Sequence, residues 1–259
     1  MKKILAISGS HQKKGTGIGA FNLFKENFNE TEYTFEVLHL TDYNILFCKG
    51  CKLCFKVNEK ACPCKDDVLE IVEKMKSADG LIFISPIYGM GISGQLKTFL
   101  DRIIFLFHRP ALYRKQALIL VSTDIGGIKP VSWYLRYLMN GLGINTVGSL
   151  GVLSGSFSKD DKYRNKVSRQ LEDLATKFKR KISLDEKSMP KFSQLVRFNG
   201  WKMKNIYSKD IYPGDFAYWK EHGWIEADYY YPVELKPFQK FRLQLIKSNL
   251  TRILRKRLL

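Results

Sequence analysis

Residues 80–97, GLIFISPIYGMGISGQLK, join a continuously apolar segment to a loop rich in glycine and serine. The apolar part, residues 80–85, has the length and composition of a buried strand, and the loop after it contains strong turn formers. A helical pattern then begins, which we place at residues 93–107. A buried strand that leads through a loop into a helix is the repeating unit of an α/β fold.

The same unit recurs on both sides of this stretch. Apolar segments predict four more strands, at residues 2–7, 33–40, 116–122 and 144–150. Helical patterns accompany them at residues 17–29, from Asp66 onward, at 131–142 and at 160–182. Because the helices that connect parallel strands cover both faces of a sheet, this order predicts a doubly wound, five-stranded parallel sheet. Such sheets bind ligands beyond the carboxyl ends of their strands.

The alternation of strands and helices stops near residue 183. Residues 190–234 are rich in Trp, Tyr and Phe, and residues 235–259 have the pattern of a basic amphipathic helix. We therefore predict a first domain at residues 1–182, with a cysteine-rich insertion at 48–64. An aromatic-rich, mostly helical extension at residues 183–259 follows it.

Composition and charge exclude several classes of protein. Of 259 residues, 45% are hydrophobic and 26% are charged, which is not the composition of a disordered chain. The formal net charge is +18, and such a field attracts polyanions without identifying one. No apolar segment approaches the roughly 18 residues of a membrane-spanning helix, and the apolar part of the start is too short for a secretory signal. We expect a soluble, cytoplasmic protein.

The loop after the first predicted strand has the composition of a phosphate-binding site. A loop rich in Gly, Ser and Thr that leads into a helix offers backbone N–H groups and the positive end of the helix dipole to a phosphate. Gly15, Gly17 and Ala20 formally match a dinucleotide fingerprint, but Gly15 lies eight positions after Ile7 rather than at the strand end. We therefore expect a monophosphate. The candidate residues are Ser8, Ser10, Lys13, Gly15, Thr16 and Gly17.

Two further loops follow strands at the same predicted edge. Residues 85–97 place S-P-x-Y before S-G-x-L-K, Asp101-Arg102 follows, and Ser122–Gly127 comes after the fourth strand. In these features residues 1–180 resemble the flavodoxin-like NAD(P)H-dependent FMN reductases. The resemblance implies a flavodoxin-like fold, bound FMN, and NAD(P)H as an electron donor. We interpret Asp101 and Arg102 as structural residues that form an ion pair at a helix end.

An aromatic side chain and glycines that allow close backbone approach suit the flat ring system of a flavin. Taken singly, Tyr88 could instead be a half-buried core aromatic, and Gly126-Gly127 could be an ordinary turn. Together, three loops at one sheet edge favour a cofactor site. The candidate residues of the second and third loops are Pro86, Ile87, Tyr88, Gly89, Met90, Ser122, Thr123, Gly126 and Gly127.

All five cysteines fall within a short window and follow the pattern Cys48-x2-Cys51-x2-Cys54-x7-Cys62-x-Cys64. Compact C-x2-C steps are typical of 4Fe–4S clusters, whereas zinc sites usually pair two well-separated units. The window resembles that of the iron–sulfur flavoproteins, a branch of the same family. That resemblance favours Cys48, Cys51, Cys54 and Cys62 as ligands, because Lys65-Asp66-Asp67 follows Cys62 at the family's distance. Cys64 departs from the pattern, and zinc or thiols without metal remain alternatives.

These observations lead to one leading hypothesis for function. The chain is expected to be an FMN-dependent oxidoreductase that passes electrons between NAD(P)H or ferredoxin and an acceptor, with a 4Fe–4S cluster. One alternative is a cluster-free reductase of quinones, nitro compounds or flavin. Another is a flavodoxin-like binding protein that docks to an anionic surface through its basic C-terminus.

The hypothesis names no catalytic side chain, because flavin chemistry demands no acid or base from the protein. The four histidines show no metal or triad spacing. Family likeness implies a homo-oligomer. We do not expect nucleic acid as a partner, and we consider peripheral membrane contact through the C-terminal helix without favouring it.

Overall fold

The computed structural model describes residues 1–183 and 189–258, the last four of these by their backbone only. By its contacts the chain divides into two compact units. The first unit comprises Met1–Cys48 and Cys64–Leu184, and the second comprises Lys49–Pro63 and Asp185–Leu259.

The first unit contains the predicted parallel sheet. Its strands are β1 (Lys2–Ser8), β2 (Tyr33–His39), β3 (Gly80–Tyr88), β5 (Gln116–Thr123) and β6 (Asn145–Leu153), with a short β4 (Gly91–Ile92) beside the end of β3. The five long strands lie in the order β2-β1-β3-β5-β6, and each neighbouring pair is parallel. This confirms the five-stranded, doubly wound sheet. Because the strand order reverses at β1 and β3, the switch point of the sheet lies between these two strands.

The described residues form helices in both units. They are α1 (Thr16–Lys25), α2 (Leu53–Lys56), α3 (Val68–Ser77), α4 (Gly94–Arg102), α5 (Phe105–His108), α6 (Ile128–Gly141), α7 (Ser154–Lys159), α8 (Asp161–Ser183), α9 (Phe192–Tyr207), α10 (Pro213–Glu221) and α11 (Pro237–Leu258). The helix predicted at residues 93–107 is divided into α4 and α5. The helix predicted at 131–142 begins three residues earlier, directly after Gly127, whose φ of 87° turns the chain out of its loop.

Helices cover both faces of the sheet, so the strands are buried on each side. On one face α1 and α8 contribute Phe24 and Phe178, which pack at 5.7 Å edge to face above Ile4 and Ile82. On the other face, α3 contacts β1, and α6 contacts β5 and β6. The fully buried side chains of the central strands explain why those segments are continuously apolar in sequence.

The second unit is built around aromatic side chains. Phe198 on α9 and Trp219 on α10 are fully buried, with ring centroids 5.2 Å apart, and Tyr230 packs on Phe198 at 4.7 Å. α11 packs against α9. The aromatic density of residues 190–234 therefore reflects a hydrophobic core.

Residues 49–63, which the sequence placed in an insertion of the first domain, group with the second unit. Phe55 lies edge to face on Tyr212 at 5.7 Å, and Gly214 lies close against the backbone of Val57. These contacts explain the grouping. Among the described residues, no helix has both the length and the apolar character needed to cross a membrane.

Candidate functional site

The loops after β1, β3 and β5 meet at the carboxyl edge of the sheet. These strands are neighbours, and the backbone N–H of Gly9 donates to the carbonyl of Ile84 at 2.9 Å. A Cβ on Gly17 would lie 2.8 Å from Ile84 Cγ2 and 3.7 Å from Ser122 Oγ, so α1 begins directly against the ends of β3 and β5. We call the surface formed by residues 8–17, 85–93 and 122–128 the three-loop edge.

The first loop presents backbone donors at the start of α1. The helix begins at Thr16, and Gly15 before it supplies no side-chain cap. Within the described part of the chain, the N–H groups of Thr16 and Gly17 have no protein acceptor. Ser10 shapes the loop, since its hydroxyl accepts from Gln12 N–H at 3.0 Å. Free donors at the positive end of a helix dipole form an anion-binding site.

Lys13 is already paired with another residue. Its ammonium lies 2.7 Å from the Asp42 carboxylate, and this hydrogen bond lowers the pKa of Asp42 below its ordinary value. Both side chains are about half exposed. A phosphate at the first loop would therefore compete with Asp42 for Lys13, and the neighbouring exposed Lys14 is the other cation within this loop.

The second loop contains a tight hairpin that the sequence did not predict. β3 extends to Tyr88 and pairs antiparallel with β4, with Ile87 opposite Ile92. The two turn residues, Gly89 and Met90, have φ of 53° and 62°, which is the arrangement of a type I′ turn. Met90 is one of few residues other than glycine at positive φ, a strained conformation that is often found at ligand sites.

The third loop is held by one hydroxyl and touches the second. Thr123 Oγ1 donates to the Gly126 carbonyl at 2.8 Å and accepts from Gly126 N–H at 3.3 Å. A Cβ on Gly127 would lie 3.1 Å from Ile87 Cγ2 and 3.5 Å from Met90 Sδ. The second and third loops are therefore in contact at this edge.

Three large apolar side chains of these loops are exposed. Tyr88 is 58% exposed, Met90 65% and Ile125 94%. Neither core packing nor a half-buried role accounts for Tyr88. Exposed apolar side chains beside unsatisfied backbone donors fit a ligand with a flat apolar part and an anionic part, which is the chemistry of FMN.

Some residues that build this edge were not among the sequence candidates. Ser85 is fully buried and accepts from Ser93 N–H at 3.0 Å, which ties the end of β3 to the start of α4. Gly9 lies so close to Ser93 and Leu96 that a Cβ there would collide at 2.5 and 2.6 Å. The signal was present in the sequence, because Ser93 precedes a helix in the position of an N-cap.

The five thiols of the cysteine window differ in exposure. Cys48 and Cys51 are exposed, and Cys54 on α2 and Cys62 are partly buried. All five cysteines are among the described residues, and none is in a disulfide. Among the residues that the structure describes, no three Cys, His, Asp or Glu side chains are arranged to hold a metal ion. Four thiolates are nevertheless the donor set that a 4Fe–4S cluster takes.

Cys64 differs from the other four. It is 6% exposed, and its thiol lies 3.6 Å from the carbonyl of Phe47. Its own carbonyl accepts from Arg102, which also hydrogen-bonds to Asp66. Arg102 is thus structural, but it does not pair with Asp101, which binds Lys97 at 2.6 Å instead.

The chain is similar to several known proteins. Residues 2–179 match the family described as NADPH-dependent FMN reductase. An iron-sulfur flavoprotein of Archaeoglobus fulgidus is 27% identical over 230 residues, which cover 86% of this chain and 100% of that protein. An iron-sulfur flavoprotein of Clostridioides difficile is 27% identical over 230 residues, which cover 86% of this chain and 99% of that protein. An NADH:FMN oxidoreductase, solved in its apo form, superposes with a TM-score of 0.50 at 26% identity, over 73% of this chain and 92% of that one.

Proposed function

Because this chain belongs to the NADPH-dependent FMN reductase family and is an FMN-dependent NAD(P)H oxidoreductase, we propose that its FMN binds at the three-loop edge. The observation that carries the proposal is the contact of α1 with the ends of β3 and β5 at Gly17. This contact brings the start of α1 to the strands that lead into the other two loops, which supports one shared site.

Each loop has a separate task in this proposal. The N–H groups of Thr16 and Gly17 bind the FMN phosphate, and Ser10 keeps the loop in shape. Tyr88 and Met90 contact the flat ring system, and the Thr123 hydroxyl fixes the third loop at the edge of the ring. When bound, FMN takes up a hydride from NAD(P)H and passes the two electrons to an acceptor. The chain binds and orients the cofactor, and the proposal assigns no proton transfer to a side chain.

The test is cofactor binding by the full chain. Protein freed of flavin and titrated with FMN should quench FMN fluorescence and bind one FMN per chain, and the loaded protein should oxidise NAD(P)H when an acceptor is present. Absence of saturable binding at micromolar FMN would overturn the proposed site.

We further propose that Cys48, Cys51, Cys54 and Cys62 hold a 4Fe–4S cluster. The spacing of the thiols supports it, as does the iron-sulfur naming of relatives that align with most of this chain. Protein prepared without oxygen should contain about four iron and four sulfide per chain, and dithionite should bleach a broad band near 400 nm.

The similarity to an NADH:FMN oxidoreductase favours a second candidate, a cluster-free reductase of quinones, nitro compounds or flavin. This candidate expects FMN absorbance alone and no acid-labile sulfide. The same absorbance spectrum and iron count therefore decide between the two.

The partners of the reaction are also proposals. We propose that electrons are exchanged with a small molecule or a ferredoxin, in the cytoplasm, and that the chain is a homo-oligomer. Five cysteines without a disulfide suit a reducing compartment. Trp133 and Tyr137 on α6 stack at 5.6 Å and are 66% and 63% exposed, which suits a surface that another copy covers. Light scattering measures the molar mass in solution. Wild type should have the mass of an oligomer, and Trp133→Glu should have a lower mass.

A further inference from the structure

The helix α11 in the second unit carries apolar side chains on two opposite sides. On one side Leu243 is 2% exposed, and Ile246 and Leu250 are partly buried. This side accounts for the packing of α11 against α9. It is the stripe that the sequence pattern indicated.

The other side of α11 is exposed to solvent. Phe238 is 66% exposed, Phe241 63% and Leu245 51%. Spacings of three and four residues bring these side chains onto one face of a helix. We call these three residues the exposed stripe. In the described part of the chain these side chains stay largely exposed, although burying one Phe or Leu is worth about 1.5–3 kcal/mol.

The charge of the helix is all of one sign. Residues 237–258 contain seven Lys or Arg and no Asp or Glu. Lys240 and Arg252 are exposed, and the Arg242 guanidinium lies 5.4 Å from the ring centre of Phe238. Lys247 is instead paired with Asp228 at 3.3 Å. Arg242 and Arg252 therefore lie on the same face as the exposed stripe, on a helix without a compensating acid.

These two properties limit what can cover the exposed stripe. A second copy of α11 would bring two cationic helices together, which is unfavourable at short range. The stripe is a convex ridge, so a folded acidic protein would need a matching groove, whereas a lipid surface deforms around it. A basic helix with Phe and Leu on its free face lies in the headgroup region of an anionic bilayer.

We propose that α11 binds the surface of anionic lipid bilayers. Phe238, Phe241 and Leu245 enter the boundary between headgroups and acyl chains. Arg242 and Arg252 lie at the level of the lipid phosphates. The helix lies in the plane of the membrane surface, and the buried side that carries Leu243 keeps it attached to α9.

The test is sedimentation of the FMN-loaded full chain with vesicles. Vesicles of equal parts phosphatidylglycerol and phosphatidylcholine should bind the protein at about 0.1 M salt, and vesicles of phosphatidylcholine alone should not. Raising the salt to about 0.5 M should weaken binding several-fold, because screening reduces the attraction to the phosphates.

Two double variants separate the apolar and electrostatic contributions. Phe238→Ser with Phe241→Ser should raise the lipid concentration for half-maximal binding at least about tenfold, since two aromatic side chains no longer enter the bilayer. Arg242→Glu with Arg252→Glu should do the same, at roughly 1 kcal/mol per lost cation and more for the added repulsion. Circular dichroism and FMN content show whether each variant is folded.

Matched controls remove similar groups elsewhere. Ile211→Ser removes an exposed apolar side chain outside α11, and Lys166→Glu with Lys177→Glu makes the same charge change on α8. Both controls should bind anionic vesicles within about twofold of wild type. If the controls lost as much vesicle binding as the α11 variants, the proposal would be overturned. Total charge or nonspecific hydrophobic adsorption would then explain the binding. Absence of binding to anionic vesicles, or binding only to RNA or to an acidic protein, would overturn it as well.

Discussion

Arg102 and Asp66 form a buried ion pair beside the two ends of the cysteine window, residues 48–64. The two residues are 36 positions apart, and their side chains are only 4% and 2% exposed. Arg102 also donates to the carbonyls of Leu46 and Cys64, and Asp66 accepts from Leu46 N–H at 2.9 Å. One side chain thus joins the two ends of the window to α4.

Removing Arg102 should destabilise the protein strongly. Arg102→Met leaves the Asp66 carboxylate buried without its partner, and we expect a loss of about 3–5 kcal/mol in the free energy of unfolding. The neighbouring Asp101→Ala breaks only an exposed pair with Lys97 and should cost less than about 1 kcal/mol. Urea denaturation of both variants measures the difference. Adding Asp66→Asn to Arg102→Met should recover part of the loss, and equal effects of the two single variants would contradict this account.

An acidic residue at the start of α1 should repel FMN without unfolding the helix. Thr16→Asp puts a carboxylate where the phosphate is proposed to bind, while a negative charge in a first turn stabilises a helix. We expect FMN to bind at least about tenfold more weakly, with an unchanged melting temperature for the flavin-free protein. Thr176→Asp, on the exposed side of α8, is the control and should bind FMN normally. Normal binding by Thr16→Asp would move the phosphate site elsewhere.

Gly126 and Gly127 are adjacent but should respond differently to alanine. Gly127 has a φ of 87° and little room beside Ile87, so Gly127→Ala should cost about 1–2 kcal/mol. A Cβ on Gly126 meets nothing within 4 Å, so Gly126→Ala should change stability by less than about 0.5 kcal/mol. Thermal unfolding of the flavin-free variants checks this pair. A stable Gly127→Ala would mean that the third loop adapts.

Serine substitutions should distinguish a cluster ligand from a buried thiol. In protein reconstituted without oxygen, Cys62→Ser should lose most of its iron, since serine replaces one proposed ligand. Cys64→Ser should keep the iron and lose about 1 kcal/mol of stability, because a more polar group replaces a buried thiol. Iron and sulfide analysis with urea denaturation measures both. If Cys64→Ser lost its iron and Cys62→Ser kept it, Cys64 would be the cluster ligand and Cys62 the thiol without metal.

The ion pairs of Glu36 should make stability depend on acid pH. Lys3 lies 2.8 Å from the Glu36 carboxylate and Lys74 lies 3.0 Å from it. The hydrogen bond from Lys3, aided by that from Lys74, lowers the pKa of Glu36 in the folded protein. A lowered folded-state pKa stabilises the protein above the unfolded-state pKa, and this contribution is lost as the pH falls through the folded-state value.

Glu36→Gln should therefore be up to about 1 kcal/mol less stable than wild type at pH 7. The difference should shrink below about pH 4, where wild type also loses the charge. Glu172→Gln, at an exposed carboxylate on α8, should match wild type throughout. A constant difference for Glu36→Gln across this range would assign the effect to packing.

Local patterns in the sequence were sufficient for the strands and for the family. Buried parallel strands are continuously apolar, so all five were recognised within a few residues of their observed bounds. The order of the loops around Tyr88 indicated the flavin reductases, and the family match over residues 2–179 confirms it. The assignment of FMN and cluster ligands to individual residues stays a prediction.

Other features had no local signal. The hairpin at Gly89 and Met90 could not be predicted because its pairing involves only two residues on each side. The ion pair between Lys13 and Asp42 joins two residues that are 29 positions apart in the sequence. Such pairs depend on which loops the order of the strands brings together. Hydrophobic periodicity predicts single strands and helices but not which loops become neighbours.

The sequence by itself determined the doubly wound sheet, the family and the presence of three cofactor-type loops, because burial of each strand imposes its own apolar pattern. The tertiary structure alone decided that Arg102 pairs with Asp66, and that residues 49–63 group with the C-terminal unit. It also decided which apolar side of α11 is buried and which stays exposed. The physical reason is that these outcomes depend on interactions between side chains that are far apart in the sequence. Such interactions form only after the fold has brought the side chains into contact.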